Sequence, residues 1–160
     1  MNLVEFKTLI ADFKKRIMKG RYVYLWHGTE RGLDDILPQD VTSRMDIVET
    51  IRNVDISECV ADEIDRLIKK QISRELTNHS NLPEPHILVV TNAYLMARYK
   101  TGLQMYYDNF VGDGRMLILQ VAKWYIETVR LPSFVNFEPE TCFNYLAKLV
   151  ESDHVIEEGE

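Results

Sequence analysis

The sequence predicts a three-layer α/β domain with a small, mostly parallel sheet, and three observations carry this prediction. Apolar runs of strand length, rich in β-branched and aromatic residues, stand at positions 22–26, 87–90 and 116–121. Amphipathic stretches of helical period separate these runs, and the connections are long enough for right-handed crossovers between parallel strands. The chain has 160 residues, which is the length of one domain with its own core.

The chain begins with a predicted amphipathic helix over residues 2–19. Apolar residues recur at steps of three and four from Leu3 to Ile17, and Gly20 follows as a typical helix stop. The aromatic run at 22–26 is the first predicted strand, and it leads into a polar loop. Thr42 or Ser43 is then expected to cap a short helix.

The longest predicted helix begins at a capping box formed by Asp55 and Glu58, and its apolar residues keep helical period as far as Leu76. The later elements follow from turn formers and apolar runs in the same way. They are a loop at 77–85, a strand at 87–90, a helix at 93–107, a turn at 112–114, a strand at 116–121, a helix at 122–128, an irregular or edge segment at 131–137 and a final helix from 138–139.

Composition and charge divide the chain into a folded body and a tail. Hydrophobic residues make up 46% and charged residues 28%, which is typical of a globular protein and excludes a disordered one. The formal net charge is -6, yet five of the 25 acidic residues lie in the last ten positions, where there is no Lys or Arg. We therefore predict a nearly neutral domain over residues 1–150 and a flexible acidic tail over residues 151–160.

The sequence favours a soluble cytoplasmic protein. No apolar run approaches the 18 or so residues of a membrane span, and the amino-terminal segment lacks the pattern of a secretory signal. Cys59 and Cys142 have no CxxC partner, which indicates buried thiols in a reducing compartment.

Ligands of parallel α/β sheets collect where the strands end, so the residues after the strands are the first candidate site. The predicted ligand-binding residues are Gly28, Thr29, Arg31, Gly32, Thr91 and Asn92. The two glycines suggest a phosphate-binding loop, but the GxxxxGK[ST] pattern fails because the chain supplies neither its Lys nor its hydroxyl residue. Nucleotide hydrolysis is therefore not predicted, binding of a nucleotide without hydrolysis stays open, and no cofactor is assigned.

An acid-base enzyme site is an alternative for the same edge. His27 and Glu30 precede Asp34 and Asp35 in one loop, and a His beside a carboxylate is the pairing that general acid-base catalysis uses. The four histidines are scattered without metal-ligand spacing, so a metal site would have to be assembled entirely by folding, and none is predicted.

Interleaved tyrosines and cations in residues 94–115 predict a contact surface. Their spacing does not place them all on one core-facing side, and Tyr and Arg are favoured in contacts with both proteins and nucleic acids. The residues of this predicted surface are Tyr94, Arg98, Tyr99, Lys100, Tyr106 and Arg115.

Residues 86–121 contain an apolar strand, a turn with a small polar residue, an aromatic-rich helix ending in a Gly-Asp turn, and a second apolar strand. This segment resembles the second half of small P-loop-like α/β proteins encoded in bacteriophage-exclusion (BREX) defence systems. The resemblance implies a P-loop-type fold, and the missing Lys of the first loop, together with Asn92 in place of an acid, makes its phosphate loop degenerate. It also implies an accessory role in an antiphage complex that contains ATPase, methyltransferase and phosphatase-like subunits.

The leading expectation is an accessory module of an antiphage defence or DNA-processing complex. It would act by binding other protein subunits, and its enzymatic status is left open with a preference for no activity. The alternatives are a hydrolase-type enzyme at the strand ends and a nucleic-acid-binding protein that uses residues 94–115.

Overall fold

The computed structural model of the chain describes residues 1–52, 61–99, 102–122 and 139–159. Its strands are β1 (Tyr22–His27), β2 (Thr42–Asp46), β3 (His86–Thr91), β4 (Arg115–Val121) and β5 (Val155–Glu157). Its α-helices are α1 (Leu3–Lys15), α2 (Glu30–Asp34), α3 (Ile47–Arg52), α4 (Ala61–Ser80), α5 (Leu95–Tyr99), α6 (Gln104–Asn109) and α7 (Pro139–Leu149).

The five described strands form one sheet in the order β2-β3-β4-β1-β5, and every pairing between them is parallel. The prediction of an α/β fold with a parallel sheet is thus confirmed. Every residue of β3 is buried, and so are all but the first of β4, because helices cover both faces of these strands.

Two apolar clusters flank the sheet and make the fold three-layered. Side chains such as Leu88 and Leu117 face one cluster together with α3 to α7. Their neighbours Ile87 and Met116 face the other cluster, which includes Phe6 of α1 and residues of α2. This division follows from the alternation of side chains along a strand.

The structure corrects the prediction that Thr42 or Ser43 caps a short helix. These residues belong to β2, which pairs with β3 in the register Ser43 to Leu88. The cap of α3 is Asp46, whose Oδ1 accepts a hydrogen bond from Val48 N at 2.9 Å. Only one residue of β2 is buried, so the strand has no apolar run in its sequence. Such a polar segment has the sequence pattern of a loop.

Other boundaries also differ from the predictions. The first helix ends at Lys15 rather than residue 19, and α4 continues through Ser80 into the segment predicted as a loop. The helix predicted over 93–107 is divided into α5 and α6, and Gly102 between them has a φ of +47°. The capping box at 55–58 and most of the predicted segments at 122–137 lie outside the described residues.

The ordered sheet extends into the segment assigned to a tail. β5 pairs with β1 from Val155 to Glu157, and Ile156 is fully buried. The apolar residues of this acidic segment are therefore the reason for its order. Cys142 is buried as predicted, while Cys59 lies outside the described residues. No helix among the described residues combines the length and the apolar character needed to cross a membrane.

Candidate functional site

The predicted ligand loop lies where β1 ends and α2 begins. Thr29 is the N-cap of α2, and its Oγ1 accepts a hydrogen bond from Gly32 N at 3.0 Å. The indole N–H of Trp26 donates to the carbonyl of Thr29 at 3.0 Å and holds the loop against the strand. The loop is therefore a strand-to-helix turn with a fixed backbone.

A carboxylate from the other end of the chain fills this loop. Thr29 N donates to Glu158 Oε2 at 2.6 Å, and Thr29 Oγ1 donates to Glu158 Oε1 at 2.9 Å. A Cβ added to Gly28 would lie 2.5 Å from the Cβ of Glu158, and one added to Gly32 would meet the Glu158 carboxylate. The two glycines thus leave the space that Glu158 occupies. We call Gly28–Gly32 with Glu158 the carboxylate loop.

Pairing between β5 and β1 delivers Glu158 to this position. Glu158 N donates to His27 O at 3.1 Å, which continues the ladder beyond the last strand residue. The neighbouring Glu157 carboxylate contacts His27 Nδ1 at 2.8 Å, and the His27 ring stacks on Phe143 at 4.0 Å.

The acid-base pairing predicted within the loop is corrected by these contacts. The carboxylate beside His27 is Glu157, whereas Asp34 forms an ion pair with Arg44 of β2. Asp35 lines an open groove of about 420 Å³ against α1. Glu30 and Arg31 are exposed on α2. The described structure therefore does not bring the predicted catalytic residues into one cluster.

The remaining polar groups at the strand ends bind one another. Asn92 has a φ of +55° and donates from Nδ2 to Asp46 Oδ1 at 2.8 Å. Thr91 is buried, and the buried Gln120 donates from Nε2 to the carbonyl of Gly28 at 2.8 Å. The amide N–H groups of Asn92 and Gln120 are thus paired with acceptors of the chain itself.

The predicted contact surface over 94–115 is corrected in part. Tyr94 and Tyr106 are buried in the apolar cluster that α3 to α7 form on one face of the sheet, and burial raises the pKa of Tyr106. Arg115 lies at the opposite end of the sheet from Tyr94, where it donates to the carbonyl of Ser80 at 2.6 Å and pairs with Glu84 at 3.4 Å. The side chains of Arg98 and Tyr99, and all of Lys100, lie outside the description.

Folding assembles a second polar cluster that sequence reasoning missed. Ser43 Oγ lies 2.9 Å from His79 Nδ1 and 2.6 Å from His86 Nε2 at the amino ends of β2 and β3. We call these three residues the serine-histidine cluster. Its members are 36 and 43 residues from Ser43 along the chain, so no local spacing signals it.

Burial lowers the pKa of both histidines of this cluster. At His79 the charge of Glu75 opposes the effect of burial. At His86 the charge that His79 carries when it is protonated and the positive charge of Arg115 add to the effect of burial. Both rings are therefore neutral near pH 7, which leaves each with one donor and one acceptor nitrogen.

Acidification is expected to destabilise the fold through these two histidines. The unfolded chain binds protons at the ordinary pKa of about 6.5, while the folded chain resists protonation. The stabilisation is present above that value and is lost as the pH falls through it, by a few tenths to about 1 kcal/mol per pH unit. Urea denaturation between pH 5 and 8 measures this slope. In the double variant His79→Gln/His86→Gln the slope should flatten, and a slope equal to that of the wild type would contradict the assignment.

Among the described residues, one group of three could offer ligands to a metal ion. Glu151, Asp153 and His154 place ligand atoms within 4.8 Å of one another. The carboxylates are exposed and all three residues come from one turn, while His154 Nδ1 donates to the carbonyl of Val23 at 2.9 Å. We assign no metal to it, since exposed acidic groups are common without one.

Comparisons of the chain with protein-family models, with curated proteins and with solved structures found no match.

Proposed function

We propose that this chain is an accessory module of a multi-protein antiphage defence or DNA-processing complex, that it has a P-loop-like fold with a degenerate phosphate loop, and that it acts by protein-protein binding. The observation that carries this proposal is the carboxylate loop, in which the chain's own Glu158 occupies the turn between β1 and α2.

The chemistry of the loop supports a degenerate phosphate site. In P-loop proteins the turn after the first strand binds phosphate oxygens with backbone N–H groups and a Lys. Here Thr29 offers the corresponding backbone N–H and hydroxyl to two carboxylate oxygens, and no Lys follows Gly32. Glu158 both satisfies these donors and repels an incoming polyphosphate, so a nucleotide binds only if it displaces this side chain.

The strand ends support a role without nucleotide hydrolysis. Hydrolysis requires a carboxylate that is available to hold Mg²⁺ beside the phosphates. The end of β3 carries Asn92 at that position, and the nearest acid, Asp46, accepts hydrogen bonds from Asn92 and from Val48 N. An edge whose polar groups bind one another fits a module that recognises other proteins through its surface.

Isothermal titration with Mg-ATP tests the nucleotide part of the proposal. We expect no binding heat with the wild-type chain up to millimolar ATP. Glu158 fills the loop, and the chain has no Lys after Gly32 to bind the phosphates. ATP binding that is lost in Arg31→Ala or Asn92→Ala would contradict the degenerate loop. The variant Gly112→Ala, whose added methyl group meets open space, is the matched control for folding.

The partner part of the proposal has its own experiment. The chain is co-expressed with the proteins encoded beside its gene, and complexes are separated by size-exclusion chromatography. Co-elution with at least one of them at a fixed ratio is the expected result. Elution of the chain apart from every one of these proteins would overturn the accessory role and leave the ATP result unaffected.

A further inference from the structure

The serine-histidine cluster lies at the amino end of the sheet, away from the carboxylate loop. Three separate elements build it, since Ser43 is on β2, His86 on β3 and His79 on α4. His86 is 7% exposed, whereas Ser43 and His79 are half-buried and reach the surface. The cluster therefore borders the surface at Ser43 and His79, while His86 lies on its enclosed side.

Ser43 has one hydroxyl proton, so it donates to one of the two ring nitrogens and accepts from the other. Donation to His86 Nε2 fits the shorter contact of 2.6 Å, and His79 Nδ1–H then donates to Ser43 Oγ at 2.9 Å. Glu75 lies one helical turn before His79, and its negative charge favours a proton on the His79 ring. This agrees with His79 as the donor.

We propose that Ser43 is a nucleophile activated by His86 and that the serine-histidine cluster reacts with small carboxylic esters. Ser43 Oγ bonds to the carbonyl carbon, the carbonyl π electrons move onto the carbonyl oxygen, and the Oγ proton passes to His86 Nε2. The carbonyl then re-forms as the bond from its carbon to the leaving oxygen breaks, and the imidazolium protonates that oxygen, which releases the alcohol. Water attacks the acyl-serine in the same way, gives its proton to His86, and releases the carboxylic acid as Ser43 regains its hydrogen.

The surroundings of His86 suit a general base. Arg115 is its partner in the register of β3 and β4, and this cation together with burial disfavours a charged imidazole. The ring is therefore neutral at pH 7 and available as a proton acceptor, and its lowered basicity favours the return of that proton to the leaving group. The Phe110 ring lies edge-on to the His86 ring with the two centroids 6.3 Å apart, and Glu84 pairs with Arg115 at 3.4 Å.

His79 has a separate role in this step. Its Nδ1–H donates to Ser43 Oγ, so the hydroxyl proton is directed at His86 Nε2. His79 is thus a positioning residue that orients the nucleophile.

Labelling with an alkyl fluorophosphonate tests the nucleophile on the full chain. Attack by Ser43 forms an oxygen-phosphorus bond and expels fluoride, and the product is detected by intact mass and located by peptide mapping. We expect labelling at Ser43 that is absent in Ser43→Ala. The variant His86→Gln keeps a side chain that can hydrogen-bond but has no basic nitrogen, and it should slow labelling about 100-fold or more.

Ser80 provides the matched control for this experiment. Its hydroxyl lies near the same end of α4 but donates to the carbonyl of Thr77 at 2.7 Å. Ser80→Ala should therefore leave labelling unchanged. Hydrolysis of p-nitrophenyl acetate by the wild-type chain, lost in Ser43→Ala, tests turnover of an ester.

The dependence of the labelling rate on pH distinguishes a general base from a residue that only supports the fold. The labelling rate should rise with pH below the ordinary histidine pKa and reach a plateau by about pH 7, because only neutral His86 accepts the proton. The proposal is overturned if Ser43 labels no faster in the folded chain than in urea, or if His86→Gln labels like the wild type. Should His86→Gln fail to fold, a flat profile between pH 5 and 8 in the wild type overturns it.

Discussion

Replacing Ile156 with alanine is expected to lower the free energy of unfolding by about 3 kcal/mol. Ile156 is fully buried on β5, against the apolar cluster that includes α1, and truncation of a buried Ile leaves a cavity that typically costs about 2–5 kcal/mol. Urea denaturation followed by circular dichroism measures the change.

The matched control for this prediction is Ile17→Ala. Ile17 has the same side chain but is 48% exposed, so its truncation should cost less than about 1 kcal/mol. If the two variants are equally stable, then the C-terminal segment does not pack on the sheet, and the tail predicted from its acidity would be the better description.

Replacing Gly28 with alanine is expected to cost about 2–3 kcal/mol. The new Cβ would lie 2.5 Å from the Cβ of Glu158, an atom fixed to the main chain that cannot rotate away. The strand-like segment that carries Glu158 must therefore move from β1, which weakens the ladder and breaks the hydrogen bonds to Thr29.

Two further variants make the Gly28 prediction specific. Gly112→Ala adds a methyl group where nothing lies within 4 Å, and its stability should match that of the wild type. Glu158→Gly removes the opposing atoms, so the double variant Gly28→Ala/Glu158→Gly should lose less stability than the sum of the two single changes. Additive losses would show that Gly28 and Glu158 are not in contact.

The central strands could be predicted from sequence because a strand that is buried on both faces has apolar residues at consecutive positions. β1, β3 and β4 each read as an apolar run, and the structure finds all three within two residues of the predicted bounds. β2 and β5 are the edge strands of the described sheet; β2 is mostly polar, and β5 has only three residues. Their extended state depends on pairing with β3 and β1, which a local pattern cannot reveal.

The candidate sites divide in the same way. Gly28 and Gly32 identified the turn after β1 because two glycines beside a strand indicate close approach by another group. The group itself, Glu158, is 129 residues away from Thr29, and only the pairing of β5 brings it there. Ser43 was predicted as a helix cap and not as a partner of histidines. Its two partners lie on α4 and β3, which are distant from it in sequence.

The long separation between Thr29 and Glu158 has a consequence during protein synthesis. The ribosome adds roughly 5–20 residues per second, so the addition of the 129 residues that follow Thr29, up to and including Glu158, takes on the order of 10 s. Throughout that interval the donors of the turn after β1 lack their carboxylate partner, and β1 lacks its neighbour β5. Any factor that recognises the immature chain at this turn must act before translation reaches Glu158.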